Sequence, residues 1–138
     1  MLTENEVICK LQKHLERQGF STKVSSTSEH GVDLIAIKQE RRLYLEVKGQ
    51  TSSKPDTNRY GKEFTPNQKL DHVAKAIYTA MKTLNQIKNI EVGIALPNDK
   101  THEKIVQAVL LPLKLLKIKV FMVSPDGSVN ELFTEDFN

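Results

Sequence analysis

The chain of 138 residues lacks several features that mark common protein classes. It has one cysteine, Cys9, so an intramolecular disulfide is excluded, as in most proteins of the reducing cytoplasm. There is no charged-then-apolar leader and no apolar run of membrane length, so we expect a cytoplasmic protein that makes no use of a membrane. Nucleotide-binding loops, nucleophile elbows and histidine clusters at metal spacing are also missing, which argues against a small-molecule enzyme built on them.

The length and the charge distribution set further bounds. A chain of this size is long enough for one substantial core, and we expect a single domain over residues 1–138. From Lys38 to Lys88 there are eleven Lys and Arg residues against five Asp and Glu, whereas Ser124 to Asn138 holds four acidic residues and no basic one. A local positive excess is typical of proteins that bind polyanions, although a solvated lysine-rich helix face gives part of the same count.

Residues 32–50 carry the most informative pattern in the chain. Two short runs rich in β-branched and aromatic residues, 32–37 and 43–48, flank a polar turn and predict an antiparallel hairpin. Asp33 stands at the head of the first run, and Glu46-Val47-Lys48 lies in the second. Because side chains alternate along a strand, Glu46 and Lys48 share one face. Asp33, on the paired strand, is then close enough to share an ion with Glu46.

These residue types suit metal-assisted chemistry on phosphate. Two carboxylates, Asp33 and Glu46, with the backbone carbonyl of Val47 and several waters, form a normal shell for Mg²⁺, and we expect Mn²⁺ to substitute. Such an ion polarises a phosphoryl oxygen and helps to deprotonate water. Lys48 would orient that water or offset the charge of the phosphate. The alternative is an exposed Glu46–Lys48 charge pair with Asp33 as a turn residue.

The same residues resemble the PD-(D/E)XK motif of the restriction-endonuclease-like nuclease superfamily. The chain has one acidic-x-Lys triplet, and it lies in the most strand-like run of the N-terminal half. The stretches 31–36 and 45–49 are also similar to the Mrr-type and Holliday-junction-resolvase branches. Val32 stands where the motif has proline, a departure shared by many members. The resemblance implies a Mg²⁺-dependent DNA endonuclease of restriction, repair or recombination.

Two helices add candidate catalytic residues. Thr3 fits the N-cap of a helix that ends at Gly19, and Glu4 falls on its apolar stripe. In the resembling superfamily the first helix often contributes a glutamate to the metal site, but Glu4 can equally complement the helix dipole. Thr65 caps a second predicted helix with Gln68 in its first turn. Several branches of the superfamily carry a glutamine on the helix after the Glu-x-Lys strand.

The segment between the hairpin and the second helix is a candidate nucleic-acid contact. Residues 51–65 are polar, rich in turn formers and too numerous for an ordinary connection. Because the segment starts directly after the strand of Lys48, it can fold over the site. The residues expected to contact nucleic acid here and on the following helix are Lys54, Arg59, Tyr60, Lys62 and Lys69.

The rest of the chain predicts the architecture. The core stripe of the second helix is expected to be Leu70, Val73, Ile77, Met81 and Leu84. The pattern predicts strands at 92–96 and 118–123 and, between them, a helix over 105–116 that Pro112 kinks or divides. A strand, a helix and a strand in this order predict a parallel crossover. Residues 128–133 are expected to add an edge strand.

The resulting order is helix, three strands, helix, strand, helix, strand. This is an α/β fold with a mixed sheet flanked by helices, as in the restriction-endonuclease-like fold. DNA is the expected partner, bound by a homodimer or by a subunit of a larger nuclease assembly. The alternative function is a non-catalytic nucleic-acid-binding module on the same fold.

Overall fold

A computed structural model describes residues 1–25, 32–52 and 61–133. These residues form four helices and six strands. The helices are α1 (Glu4–Arg17), α2 (Pro66–Gln86), α3 (Lys100–Gln107) and α4 (Leu110–Leu115). The strands are β1 (Ser21–Val24), β2 (Leu34–Lys38), β3 (Arg41–Val47), β4 (Glu91–Pro97), β5 (Ile118–Val123) and β6 (Val129–Leu132). None of the helices in these ranges is both long and apolar enough to cross a membrane.

The six strands form one mixed sheet in the order of the chain. The pairs β1–β2 and β2–β3 are antiparallel, β3–β4 and β4–β5 are parallel, and β5–β6 is antiparallel. The predicted hairpin, parallel crossover and edge strand are therefore confirmed. The chain is an α/β protein with a mixed sheet flanked by helices.

Apolar side chains are buried on both faces of the sheet. On one face, Leu11 and Leu15 of α1 pack in a cluster with Leu45 and Val47 of β3. On the other face, α2, α3 and α4 form a second cluster with the alternate residues of β3, β4 and β5. Because both faces are covered, β4 and β5 are almost continuously apolar, as parallel strands usually are.

The predicted core face of α2 is partly wrong. Val73 is buried as expected, but Leu70 and Met81 are 50% and 45% exposed. The buried face includes the small Ala76 and Ala80 instead. Small side chains let a helix lie close to a sheet, so the larger apolar side chains stand at the border of the contact rather than under the helix. Hydrophobic spacing alone does not distinguish these two orientations.

The helix predicted over residues 105–116 is divided into α3 and α4. Pro112 is the third residue of α4. The last residue of α3 is Gln107, and Ala108, four residues before Pro112, is its C-cap. A proline lacks the amide hydrogen and clashes with the carbonyl four residues earlier, which accounts for the break between α3 and α4. Leu116, which the pattern assigned to the helix and its core, lies after α4 and is 45% exposed.

Three helices begin at the carboxyl end of the parallel strands. Gln50, shortly after β3, is hydrogen bonded to the residues before two helices. Its N–H donates to the carbonyl of Leu2, just before α1, at 2.7 Å, and its carbonyl accepts from Phe64 N, just before α2, at 2.7 Å. Asp99 follows β4 and caps α3. The positive dipole ends of α1, α2 and α3 therefore surround the residues that follow β3.

Candidate functional site

Asp33 and Glu46 lie side by side at the carboxyl end of β3. The strand register pairs Leu34 with Leu45, so Asp33 lies opposite Glu46 one residue further along. Val47 N donates a hydrogen bond to Asp33 Oδ2 at 2.8 Å, which orients that carboxylate. The two side chains interact, and this interaction is one cause of the raised pKa of Glu46. The structure thus brings together the two acids that the sequence pattern selected.

The buried Glu46 carboxyl group has a strongly shifted pKa. Glu46 is only 6% exposed, and this burial is the largest reason why its pKa is raised from 4.5 to about 9. The hydrogen bond with Asp33 and the negative charges of Asp33 and Glu4 raise the pKa further, whereas Lys48 lowers it. Burial removes the water that would solvate a carboxylate. The raised pKa favours the protonated form of Glu46 at neutral pH.

Lys48 and Glu4 flank the carboxyl pair from two different elements. Lys48 follows β3, and its backbone N–H donates to Ala95 O at 3.0 Å, which continues the parallel pairing. Its charge acts on both Glu46 and His72. Glu4, the first residue of α1, acts on Glu46 from the helix side. Four predicted residues therefore contribute to one electrostatic environment.

Gly49 allows α1 to come this close to the end of β3. A Cβ atom at this position would lie 2.4 Å from Glu4 N and 2.7 Å from Thr3 C. Both distances are shorter than any normal Cβ contact, so a larger residue would push the first turn of α1 away. Gly49 is the sequence signal for this contact, and its meaning is visible only once α1 is placed.

The two carboxyl groups fit a divalent cation. The raised pKa of Glu46 reflects its burial beside Asp33, and a divalent cation bound by both side chains would favour the ionised form of Glu46. Within residues 1–25, 32–52 and 61–133, no group of three or more His, Cys, Asp or Glu side chains is placed to hold a metal. Glu4 thus does not complete a three-carboxylate site in those ranges. The remaining donors would be a backbone oxygen, expected at Val47, and water.

Gln68 has a structural role at the start of α2. Its Oε1 accepts a hydrogen bond from Thr65 N at 2.8 Å, and Gln68 N donates to Thr65 Oγ1 at 3.2 Å. This is a capping box, which the Thr-x-x-Gln spacing signals in the sequence. The side-chain oxygen of Gln68 therefore stabilises the start of the helix. A catalytic role of Gln68 through its amide nitrogen stays a prediction.

Lys69 is not a nucleic-acid contact, contrary to the sequence-based expectation. Its side chain is 2% exposed and pairs with Glu63 and, at 3.2 Å, with Asp99 Oδ2. A buried ammonium group between two carboxylates is not available to a phosphate backbone. The error follows from the orientation of α2, because the predicted stripe placed Leu70 inside, where Lys69 actually lies.

Replacing Lys69 by alanine is expected to destabilise the fold rather than to weaken nucleic-acid binding. The change leaves the largely buried Asp99 without its ammonium partner, so we expect the free energy of unfolding to fall by roughly 3 kcal/mol. Lys75→Ala, on an exposed site of the same helix, is the matched control and should change it by less than about 0.5 kcal/mol. Urea denaturation measures both. Equal stability of the two variants would contradict this placement of Lys69.

Lys62 lies where the segment after β3 returns to the site. It is exposed, and its carbonyl accepts a hydrogen bond from Thr51 Oγ1 at 2.7 Å. Thr51 and Lys62 therefore lie together near the carboxyl end of β3. This position of Lys62 is compatible with the predicted contact to nucleic acid. The other predicted contacts lie outside the described residues; they are Lys54, Arg59 and Tyr60.

A polar cluster beside the site was not predicted. Asp99 accepts hydrogen bonds from His102 N at 2.7 Å, from His102 Nδ1 at 2.8 Å and from Gln50 Nε2 at 2.9 Å. Burial alone would raise the pKa of Asp99, but these hydrogen bonds hold it well below its usual range. His102 is fully buried, and among the described residues its Nε2 has no hydrogen-bond partner. The sequence signal is an acid directly after a buried strand, in a helix-capping position.

Comparison of the chain with family models, with curated proteins and with solved structures found no match. The architecture itself establishes the α/β class and the mixed sheet. The restriction-endonuclease-like fold and the nuclease superfamily are therefore part of the proposal that follows.

Proposed function

We propose that this protein is a Mg²⁺-dependent nuclease that hydrolyses phosphodiester bonds in DNA, on a restriction-endonuclease-like fold. The observation that carries the proposal is the pairing of Asp33 with Glu46 at the end of β3, with Lys48 directly after the strand. Two acids that can hold a cation and a lysine that can stabilise negative charge suit metal-assisted phosphodiester hydrolysis. The similarity of these residues to the PD-(D/E)XK motif supports the same function.

Each residue has a distinct role in this proposal. Asp33 and Glu46 would hold the cation, with the carbonyl of Val47 as a further donor. Mg²⁺, when bound, polarises the phosphate and lowers the pKa of water. The hydrogen bond from Val47 N already orients the Asp33 carboxylate, and Glu46 would bind the cation in its ionised form. Lys48 offsets negative charge on the phosphate and orients the attacking water.

The surroundings of the site suit a polyanionic substrate. The N-termini of α1, α2 and α3 lie at this edge and present the positive ends of their dipoles. Lys48 and Lys62 add two cations at the same edge. Together they offset the cost of bringing phosphate towards two carboxylates.

A substrate panel tests the proposal. Purified protein is incubated with linear, circular, nicked, branched and single-stranded DNA, and with RNA, in Mg²⁺, in Mn²⁺ or in EDTA. We expect cleavage of at least one DNA substrate in either metal and none in EDTA. Cleavage of circular DNA would establish endonuclease activity. Binding of DNA without cleavage of any substrate would contradict the nuclease and favour the non-catalytic binding module.

The expected homodimer or larger assembly is also part of the proposal. A domain of 15.7 kDa covers little duplex alone, so cutting two strands calls for a second subunit. The exposed Leu70, Tyr78 and Met81 of α2 supply apolar surface that such a contact could cover.

A further inference from the structure

We infer that Gln50 is a positioning residue of the candidate metal site, because its side chain holds the start of α1, and with it Glu4, against the end of β3. The inference rests on the proposed function. Glu4 belongs to a different element from Asp33 and Glu46, so its place beside them depends on contacts between the chain before α1 and the chain after β3.

The backbone amide and the side-chain amide of Gln50 are both hydrogen bonded to the backbone of Leu2. Gln50 N donates to Leu2 O at 2.7 Å, and Leu2 N donates to the side-chain Oε1 of Gln50 at 2.8 Å. The pairing continues one residue further, where Thr3 forms a parallel bridge with Thr51. The residues that lead into Glu4 are therefore fixed to the residues that follow Lys48.

The nitrogen of the same side-chain amide is fixed as well. Its Nε2 donates to Asp99 Oδ2 at 2.9 Å. Asp99 is itself immobilised, because it also accepts hydrogen bonds from His102 N, His102 Nδ1 and Lys69 Nζ. Since Leu2 uses the oxygen of the Gln50 amide and Asp99 uses its nitrogen, the amide has one favourable orientation. Gln50 thus joins the start of α1 to the start of α3.

Glu4 is the residue through which this link acts on the site. Mg²⁺ keeps several waters when carboxylates bind it, and a nearby carboxylate accepts hydrogen bonds from them. Partners of this kind change metal affinity by about 10- to 100-fold. Removing the two side-chain hydrogen bonds of Gln50 would leave the start of α1 held only by the backbone contacts, so the position of Glu4 relative to Glu46 would be less well fixed. Asp33 and Glu46 would remain in place.

Mn²⁺ binding to the intact protein, measured by electron paramagnetic resonance, tests the inference. Gln50→Ala is expected to weaken Mn²⁺ binding by about tenfold. The matched control is Gln12→Ala, which removes another glutamine hydrogen bond of α1, to Thr22 Oγ1 at 3.1 Å, away from the site. Its Mn²⁺ affinity should equal that of the wild type. If the alanine variant folds poorly, Gln50→Met replaces it in the experiment. Methionine keeps the length of the side chain but forms neither hydrogen bond, so it should weaken Mn²⁺ binding to the same extent.

The decisive arm repeats Gln50→Ala in a Glu4→Gln background. If Gln50 acts through Glu4, the second substitution adds no further loss of Mn²⁺ affinity. A full additional loss, or wild-type affinity in Gln50→Ala and Gln50→Met, would overturn the inference. Absence of Mn²⁺ binding by the wild type would instead overturn the proposed function, and the inference with it.

Discussion

Lys48→Ala is expected to lower the rate of metal-dependent DNA cleavage by about 10²- to 10⁴-fold, the range for loss of a group that stabilises charge or transfers a proton in the transition state. Lys48 follows β3 directly, and its charge reaches Glu46. The substitution leaves Asp33 and Glu46 in place, so Mn²⁺ binding should persist. Single-turnover cleavage and Mn²⁺ binding are measured on the same preparation.

The controls for Lys48 separate its position from its charge. Lys23→Ala removes an exposed lysine on the edge strand β1, and it should retain cleavage within about threefold of the wild type. Lys48→Arg keeps the charge but replaces a compact ammonium by a planar fork, so we expect only partial activity. Cleavage by Lys48→Ala at a rate close to that of the wild type would contradict the role given to this residue.

Glu46→Gln is expected to stabilise the metal-free protein, increasingly so as the pH rises. The pKa of Glu46 is about 9 in the folded protein against 4.5 for the free side chain, so between these values the native state binds a proton that the unfolded chain releases. Stability therefore falls with rising pH, by at most about 1.4 kcal/mol per pH unit. Glutamine resembles the protonated acid and can still donate to Asp33. At pH 8 these two pKa values imply that the variant is more stable by up to about 5 kcal/mol.

Urea denaturation of both proteins from pH 6 to pH 9 measures this difference. Glu40→Gln, in the exposed turn between β2 and β3, is the matched control and should follow the wild-type curve. Saturating Mg²⁺ should reduce the difference, because a ligand at a hundred times its dissociation constant stabilises the wild type by about 2.7 kcal/mol and the variant much less. Parallel curves for the wild type and Glu46→Gln in the absence of metal would contradict a protonated, buried Glu46.

The hairpin and its acids could be predicted because local rules determine them. Strand alternation and a short polar turn fix which residues face each other, and these rules place Asp33 opposite Glu46 in the folded chain. Helix starts followed equally from local chemistry, since Thr3 and Thr65 form capping boxes. Features within one turn or one hairpin need no knowledge of the tertiary structure.

Features that depend on packing between distant elements could not be predicted. The orientation of α2 is decided by how closely it lies on the sheet, which buries Lys69 and exposes Leu70. The contact of Gly49 with α1 and the hydrogen bond that joins Gln50 to Asp99 link residues about 45 to 50 positions apart. A single sequence contains no periodicity that signals such pairs. For this reason the acids of the site were predicted, whereas the residues that hold it together were not.

The central claim is that Asp33 and Glu46 together hold a divalent cation, and anomalous diffraction from crystals grown with Mn²⁺ tests it most directly. We predict one anomalous peak at ligand distance from both carboxylates in the wild type. In Asp33→Asn, which can still accept the hydrogen bond from Val47 N, the peak should be lost. Wild-type crystals in saturating Mn²⁺ that show no peak, with the two carboxyl groups still hydrogen bonded to each other, would contradict the claim.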